Sequence, residues 1–181
     1  MRFIETELPG AFLIEVEPQC DERGLFARTF CADEFASLGL ASSFVQCSSS
    51  YNEAAGALRG MHWQDPPHAE VKLVRCTAGA IFDAIVDLRP GSPTRGRWFS
   101  AELAAETRRM LYVPEGFAHG FQTLRDGSEV FYQMSRPFAP LASRGFRFDD
   151  PAVGIRWPLP AGAMSARDRE LPRLREEDLD G

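Results

Sequence analysis

Short runs of β-branched and aromatic residues recur from residue 11 onward at intervals of about ten residues, and this spacing constrains the fold more than any other feature. Turn residues separate the runs, with glycines that adopt positive φ freely and prolines whose φ is fixed, as in RPGSP at positions 89 to 93. Many short strands at regular spacing predict an all-β sandwich or barrel of antiparallel strands. The predicted strands are AFLIEVE, SFVQCSS, ALRGMHWQ, EVKLVRC, AIFDAIVDL, RWFSAEL, RMLYVPE, GFQTL and EVFYQM.

Helical signals are few. Ala32 to Leu38, followed by Gly39, could form one or two helical turns, and the charged residues 165 to 177 could be partly helical. No repeat, low-complexity block or linker interrupts the chain, and 181 residues, 44% of them hydrophobic, suffice for one core. We therefore expect a single domain over residues 1–181 with a few short helices and a charged C-terminal tail from about residue 165.

Bulk charge and cysteine usage exclude several classes of protein. The formal net charge is −6, and no block of lysine or arginine is long enough to bind nucleic acid or a membrane surface. The start, MRFIETELPG, lacks the pattern of a signal peptide, and no apolar stretch nears the roughly 20 residues of a membrane span. We therefore expect a cytoplasmic protein whose four cysteines, with no Cys-x-x-Cys pair, are free thiols.

One of only three histidines lies in RGMHWQ, residues 59 to 64, within a predicted strand. Strict alternation along a strand places Arg59 and His62 on opposite faces, with Gly60 and Gln64 beside the imidazole. A glycine, an imidazole and an amide could form a pocket wall. The simpler interpretation is a half-buried histidine that is hydrogen-bonded to a backbone carbonyl.

Other polar side chains also allow two interpretations. Lys72 shares a strand face with apolar neighbours, so its ammonium either extends to water at a strand end or lines a cavity. Tyr132 fits a cavity wall and also a packed interior in which its hydroxyl has one partner. Arg23 and Arg59 could bind a diphosphate bidentately, although an arginine taken singly is more often at the surface or in a salt bridge.

PEGFAHGF, residues 114 to 121, has the Pro-x-Gly-x-x-His spacing of the second metal motif of cupin proteins. The first such motif resembles His-x-His followed by a glutamate, and that place here reads His62-Trp63-Gln64. A divalent transition metal needs three or four nitrogen, oxygen or sulfur ligands at close range. We therefore expect no bound metal.

Taken together, the segments resemble the dTDP-4-dehydrorhamnose 3,5-epimerases, which are cupin-type jelly rolls that act on nucleotide-linked 4-keto-6-deoxy sugars. The similarity covers nearly the whole chain in order, which is far more specific than any single motif. The matching segments are IET and LPG (from residue 4), DERG (from 21), LRGMH (from 58), KLVR (from 72), FD with VD (from 82), GSPT (from 91), PEGFAHGF (from 114), DDP (from 149) and WP (from 157).

The resemblance implies a role for each matched position. His62 would be the general base, with Asp168 bonded to its imidazole, Tyr132 the acid on the opposite face of the sugar, and Lys72 beside the C4 oxygen. It also implies a homodimer with residues of the neighbouring chain near the nucleotide. Apart from the resemblance, open sheet edges must be covered, and an extended N-terminal segment such as RFIETEL could add to a partner's sheet. The positions that would bind the diphosphate or the sugar are Arg23, Gln46, Arg59 and His119.

The chemistry of epimerisation gives these roles independent support. A carbon next to a ketone is acidic because the carbanion is an enolate, so the enzyme needs a base, a cation or donor at the oxygen, and an acid across the ring. Neutral imidazole suits the first task, and an adjacent carboxylate fixes its tautomer. An ammonium suits the second and a phenol the third. No cofactor is required, and no Gly-x-Gly-x-x-Gly motif follows a strand.

Several positions depart from the family pattern. Arg28 and Ser143 occupy places where family members carry glutamate, and Phe138 replaces a tyrosine. In QCSSS, residues 46 to 50, the usual asparagine is missing. These changes fall at the periphery of the expected site, so Arg28, Phe138 and Ser143 bear on which substrate binds more than on the type of reaction.

The sequence therefore predicts an isomerase that epimerises a nucleotide-linked 4-keto-6-deoxy sugar at C3, C5 or both, with dTDP-4-dehydro-6-deoxy-D-glucose as leading substrate. Epimerisation at C3 alone, or a sugar linked to CDP or GDP, also fits the sequence. Two other classes stay open. One is a cupin that binds a sugar nucleotide without turnover, and the other is a metal-dependent isomerase or dioxygenase whose ligands are His62, His119 and either Gln64 or a water.

Overall fold

Two antiparallel sheets dominate the computed structural model, which describes residues 1–175. The six-stranded sheet has the order β1 (Arg2–Glu5), β2 (Phe12–Glu15), β10 (Met110–Val113), β7 (Lys72–Ala78), β12 (Ser128–Met134) and β5 (Gln46–Asn52). The five-stranded sheet has the order β13 (Ser143–Gly145), β6 (Leu58–Gln64), β11 (Phe117–Thr123), β8 (Ala80–Asp87) and β9 (Trp98–Ala104). A separate hairpin joins β3 (Gln19–Asp21) to β4 (Gly24–Phe26), and the two short helices are α1 (Ala32–Ser37) and α2 (Ala166–Arg169).

The main core lies between the two sheets. Val74 and Leu111 of the six-stranded sheet pack with Ile81, Ile85 and Phe121 of the five-stranded sheet, and all five are 0% or 1% exposed. From β6 to β8 and from β10 to β13, successive strands alternate between the sheets. This alternation is the arrangement of a jelly roll, and the prediction of an all-β jelly roll with a few short helices is confirmed.

The sequence missed only short strands. Each of the nine predicted runs contains or overlaps a strand, but the β3–β4 hairpin and β13, of three residues each, were not predicted. The N-terminal segment RFIETEL forms β1, which pairs with β2 of its own chain and is an edge strand. In the C-terminal tail the helix covers only Ala166–Arg169, and residues 176 and 177 of the predicted helical segment lie outside the described residues. Among residues 1–175, no helix is both long and apolar enough to cross a membrane.

Candidate active site

A cavity of about 890 Å³ lies between the two sheets, and residues 163–165, which lead into α2, form one side of it. The six-stranded sheet contributes side chains from β5, β7 and β12, and the five-stranded sheet contributes β6 and β11. Seven of the residues singled out from the sequence line this cavity: Arg59, His62, Lys72, His119, Tyr132, Phe138 and Asp168.

A bulge in β6 brings Arg59 and His62 to the same cavity. His62 pairs with His119 and Arg59 with Phe121, so β6 has one more residue than β11 over this interval. The expectation that alternation puts Arg59 and His62 on opposite faces is therefore wrong. Glycine is required within the bulge, because Gly60 has φ +117° and a Cβ there would lie 2.6 Å from the backbone of β11.

His62 is held by a buried carboxylate. Its Nε2 lies 2.7 Å from Oδ1 of Asp168, which leaves Nδ1 as the ring nitrogen that can accept a proton. Ser165 caps α2 by accepting a hydrogen bond from the Asp168 amide, and this cap fixes the start of the helix that carries the carboxylate. Burial opposes ionisation of Asp168, but hydrogen bonds from His62, the Gly60 amide and Ser165 outweigh it and lower the pKa of the carboxyl.

Tyr132 and Lys72 enter the cavity from the opposite sheet. Burial, reinforced by the charge of Asp83, raises the pKa of the Tyr132 phenol well above its usual value, although Arg59 opposes this. The phenol is therefore a proton donor at neutral pH. Lys72 begins β7, and its ammonium contacts the carboxylate of Glu70. The cavity thus has an imidazole on one wall and a phenol with an ammonium on the other.

A second histidine–aspartate pair lies deeper in the five-stranded sheet. His119 Nε2 is 2.7 Å from Oδ1 of Asp83, and both side chains are buried. The His119 ring meets Tyr132 edge-on, with centroids 6.0 Å apart. Asp83 was not singled out from the sequence, although an aspartate in the middle of the apolar run AIFDAIV was a usable signal, because a buried carboxylate needs a partner.

The other end of the cavity carries polar groups suited to an anion. The Arg59 guanidinium donates from Nε to Oδ1 of buried Asn52 at 2.8 Å, which orients the remaining nitrogens. Arg167 of α2 also lines the cavity and donates to the Ser143 hydroxyl at 2.8 Å. Asn52 and Arg167 were missed, because nothing in their local sequence distinguishes them from surface residues.

The whole chain resembles proteins of known family. Residues 5–176 match the family described as dTDP-4-dehydrorhamnose 3,5-epimerase. A dTDP-4-dehydrorhamnose 3,5-epimerase from Sinorhizobium fredii (strain NBRC 101917 / NGR234) is 43% identical over 177 residues, which cover 97% of this chain and 91% of that protein. The chain belongs to this epimerase family.

Two crystal structures extend the comparison. The dTDP-4-dehydrorhamnose 3,5-epimerase of Bacillus anthracis, with TDP and PPi bound, has a TM-score of 0.92 and 39% identity, covering 96% of this chain and 99% of that one. A 3'-monoepimerase from Streptomyces bikiniensis, in complex with dTDP-quinovose, has a TM-score of 0.85 and 31% identity, covering 93% of this chain and 85% of that one. Both structures show the same fold as this epimerase-family chain.

Four residues predicted to bind substrate do not line the cavity of this epimerase-family chain. Arg23 lies on the exposed β3–β4 hairpin, where it pairs with Asp21, and Arg28 follows the hairpin and pairs with Glu34 at 3.1 Å. Gln46 and Ser143, the other two, are hydrogen-bonded to other segments of the chain. Gln46 accepts a hydrogen bond from the Phe138 amide at 2.8 Å, and Ser143 is the partner of Arg167.

The side chains of the cavity also bear on the expectation of a metal. Gln64, the side chain considered as a third ligand in the metal-dependent interpretation, does not line the cavity. Its side-chain amide donates to the carbonyl of His68 at 2.9 Å and accepts from the backbone amide of Ala139 at 2.6 Å. These hydrogen bonds connect β6 to the segments that contain His68 and Ala139. Within residues 1–175, no three histidine, cysteine, aspartate or glutamate side chains are grouped as metal ligands.

Proposed function

We propose that this epimerase-family chain inverts C3 and C5 of dTDP-4-dehydro-6-deoxy-D-glucose without a cofactor. The observation that carries the proposal is the placement of His62 with its buried Asp168 on one wall of the cavity, opposite Tyr132 and Lys72. In this mechanism Nδ1 of His62 takes the proton from the carbon next to the ketone. The Lys72 ammonium stabilises the enolate oxygen, and the Tyr132 phenol returns a proton from the other face.

The nucleotide end of the substrate would lie toward Arg59. Its guanidinium is oriented by Asn52 and can offer two parallel donors to a diphosphate, with Arg167 nearby at the cavity mouth. The relatives support dTDP as the carrier, because the Bacillus anthracis enzyme was crystallised with TDP and PPi and the Streptomyces bikiniensis enzyme with dTDP-quinovose.

Incubation with dTDP-4-dehydro-6-deoxy-D-glucose in deuterated water tests the proposal. Each epimerised carbon gains one deuterium from solvent, which NMR of the product detects at C3 and at C5. Absence of deuterium at both carbons would refute the dTDP-sugar assignment. His62→Ala and Tyr132→Phe separate an enzyme from a binding protein, since both should abolish epimerisation while leaving affinity for dTDP nearly unchanged.

One observation favours epimerisation at C3 alone as a second candidate. Phe138 lines the cavity where a tyrosine is expected from the family pattern, so position 138 supplies no second phenol beside Tyr132 that could donate or relay a proton. The similarity to a 3'-monoepimerase supports the same candidate. Deuterium at C3 without deuterium at C5 would establish it.

A cytoplasmic homodimer completes the proposal. Arg23 and Arg28 do not line the cavity of their own chain, so they could bind substrate only in the cavity of a second copy. The hairpin before Arg28 also exposes two apolar side chains, with Leu25 43% and Phe26 73% exposed. An exposed apolar hairpin that carries arginines fits an interface in which each subunit completes the other's site. Mixing inactive Arg23→Ala and His62→Ala proteins should then restore activity through hybrid dimers. Failure of the mixture, with exchange of subunits demonstrated, would refute shared sites.

A further inference from the structure

A smaller cavity of about 190 Å³ adjoins the proposed active site on the side of the six-stranded sheet. Lys72 and Tyr132 line both cavities, whereas Glu70 lines only the smaller one. The Glu70 carboxylate therefore contacts the Lys72 ammonium without lining the larger cavity. It does not face the space that the sugar would occupy.

The Glu70 side chain is buried, which is unusual for a carboxylate. Its side chain is only 6% exposed and that of Lys72 14%, and the two are in direct contact through Oε1 of Glu70. The other carboxylate oxygen, Oε2, is buried and has no hydrogen-bond partner among residues 1–175. A buried carboxylate with one of its oxygens unpaired is costly, and such violations of local packing rules concentrate at functional sites.

The local sequence explains how the contact arises. Lys72 is the first residue of β7, and Glu70 lies two residues before it in the segment that enters the strand. The two side chains are therefore close in the chain, and they meet through Oε1 of Glu70. An unanchored lysine has four rotatable side-chain bonds and would extend toward water, as one interpretation of the sequence allowed. Contact with a fixed acceptor holds the ammonium in the wall instead.

We propose that Glu70 is a positioning residue of the reaction: its Oε1 holds the Lys72 ammonium at the wall of the larger cavity, where the enolate oxygen forms. The inference rests on the function proposed above, because it assigns Lys72 the carbonyl oxygen of a 4-keto sugar. Glu70 itself does not touch the substrate. A glutamine in its place keeps an acceptor oxygen at the same distance along the side chain, whereas a leucine keeps the volume and loses the acceptor.

These two variants form the core of the test. With dTDP-4-dehydro-6-deoxy-D-glucose, Glu70→Leu should lower kcat for deuterium incorporation by about 10²-fold, as expected for a misplaced catalytic group, and change KM little. Glu70→Gln should recover most of that loss. In a Lys72→Met background, Glu70→Leu should cause no further loss, because the two residues act as a unit. Glu106→Leu, which removes a surface carboxylate paired with Arg125, is the matched control and should leave kcat unchanged.

Three outcomes would overturn the assignment. They are an unchanged kcat in Glu70→Leu, an equal loss in the Lys72→Met background, and a Glu70→Gln variant as impaired as Glu70→Leu. A crystal structure of Glu70→Leu gives a reading that does not depend on turnover, since Lys72 should leave the cavity wall, and an unmoved ammonium would refute the proposal. If the unaltered protein incorporates no deuterium, the proposed function fails, and the crystal structure still decides whether Glu70 positions Lys72.

Discussion

Replacing Asp168 by asparagine tests the proposed base most directly. The change removes a negative charge 2.7 Å from Nε2 of His62 without altering the size of the side chain. At about 4 Å between charge centres and an effective dielectric constant of about 20, the carboxylate stabilises the imidazolium by about 4 kcal/mol. Because the His62 side chain is 36% exposed, solvent screening reduces this to about 2 kcal/mol, which corresponds to about 30-fold in rate.

The amide introduces a second penalty. Its NH₂ group can donate to Nε2, and the imidazole proton then resides on Nδ1, the nitrogen that must accept the substrate proton. Loss of the correct tautomer in a comparable histidine–carboxylate pair costs up to about 10⁴-fold. We therefore expect kcat for deuterium incorporation at C3 to fall between about 30-fold and about 10⁴-fold in Asp168→Asn.

The assay is the initial rate of deuterium incorporation at saturating dTDP-4-dehydro-6-deoxy-D-glucose, followed by NMR. Asp149→Asn is the matched control, since Asp149 pairs with Arg147 at the surface and lies outside the cavity, and its rate should equal that of the unaltered protein. A rate for Asp168→Asn within about three-fold of the control would refute the argument that this carboxylate orients and stabilises the base.

Four further outcomes are expected. Tyr132→Phe should lower formation of inverted product by about 10²-fold or more while exchange on the His62 side persists, which NMR of the recovered sugar distinguishes. Arg59→Lys should raise KM about 10-fold with kcat nearly unchanged in steady-state kinetics, because lysine lacks the bidentate fork. Burial opposes ionisation of Asp87, but hydrogen bonds from residues 89–94 hold its pKa at about 2. Asp87→Asn should therefore lower the free energy of unfolding by about 2 kcal/mol at pH 7, a loss that shrinks as pH falls from 4 toward 2 in urea titrations. Gly60→Ala should lower it by about 3 kcal/mol or more in the same titrations, because the new Cβ meets the backbone of β11 at 2.6 Å.

The fold could be predicted from the sequence because its signals are local. Short runs of β-branched and aromatic residues bounded by glycine and proline identify strands one at a time, and the runs around β6, β8 and β12 show this pattern. The β3–β4 hairpin escaped prediction because it is exposed and contributes nothing to the core, so no apolar periodicity marks it. The length of α2 could not be predicted either, because no apolar periodicity marks this helix and its start is fixed by the Ser165 cap.

Much of the proposed site could not be predicted from local sequence, because its geometry depends on contacts between distant segments. Arg59 joins His62 only because β6 bulges against β11, and no strand-level pattern contains that information. Asp168 lies in a charged tail and became a partner of His62 through α2, 106 residues further along the chain. Glu70 could have been noticed as a charge in the predicted run EVKLVRC, but only the structure shows that it is buried against Lys72 without lining the larger cavity.

The division of the site between two sheets gives the proposed inversion its physical basis. His62 comes from the five-stranded sheet, and Tyr132 and Lys72 come from the six-stranded sheet. Packed sheets are about 10 Å apart, so a sugar ring held between them presents one face to the imidazole and the other to the phenol. A proton removed toward one sheet and returned from the other inverts the carbon without any turning of the ring. Because β7 and β12 are hydrogen-bonded neighbours, with Met134 opposite Lys72, one rigid element carries both Lys72 and Tyr132, to which the proposed mechanism assigns the enolate oxygen and the return of the proton.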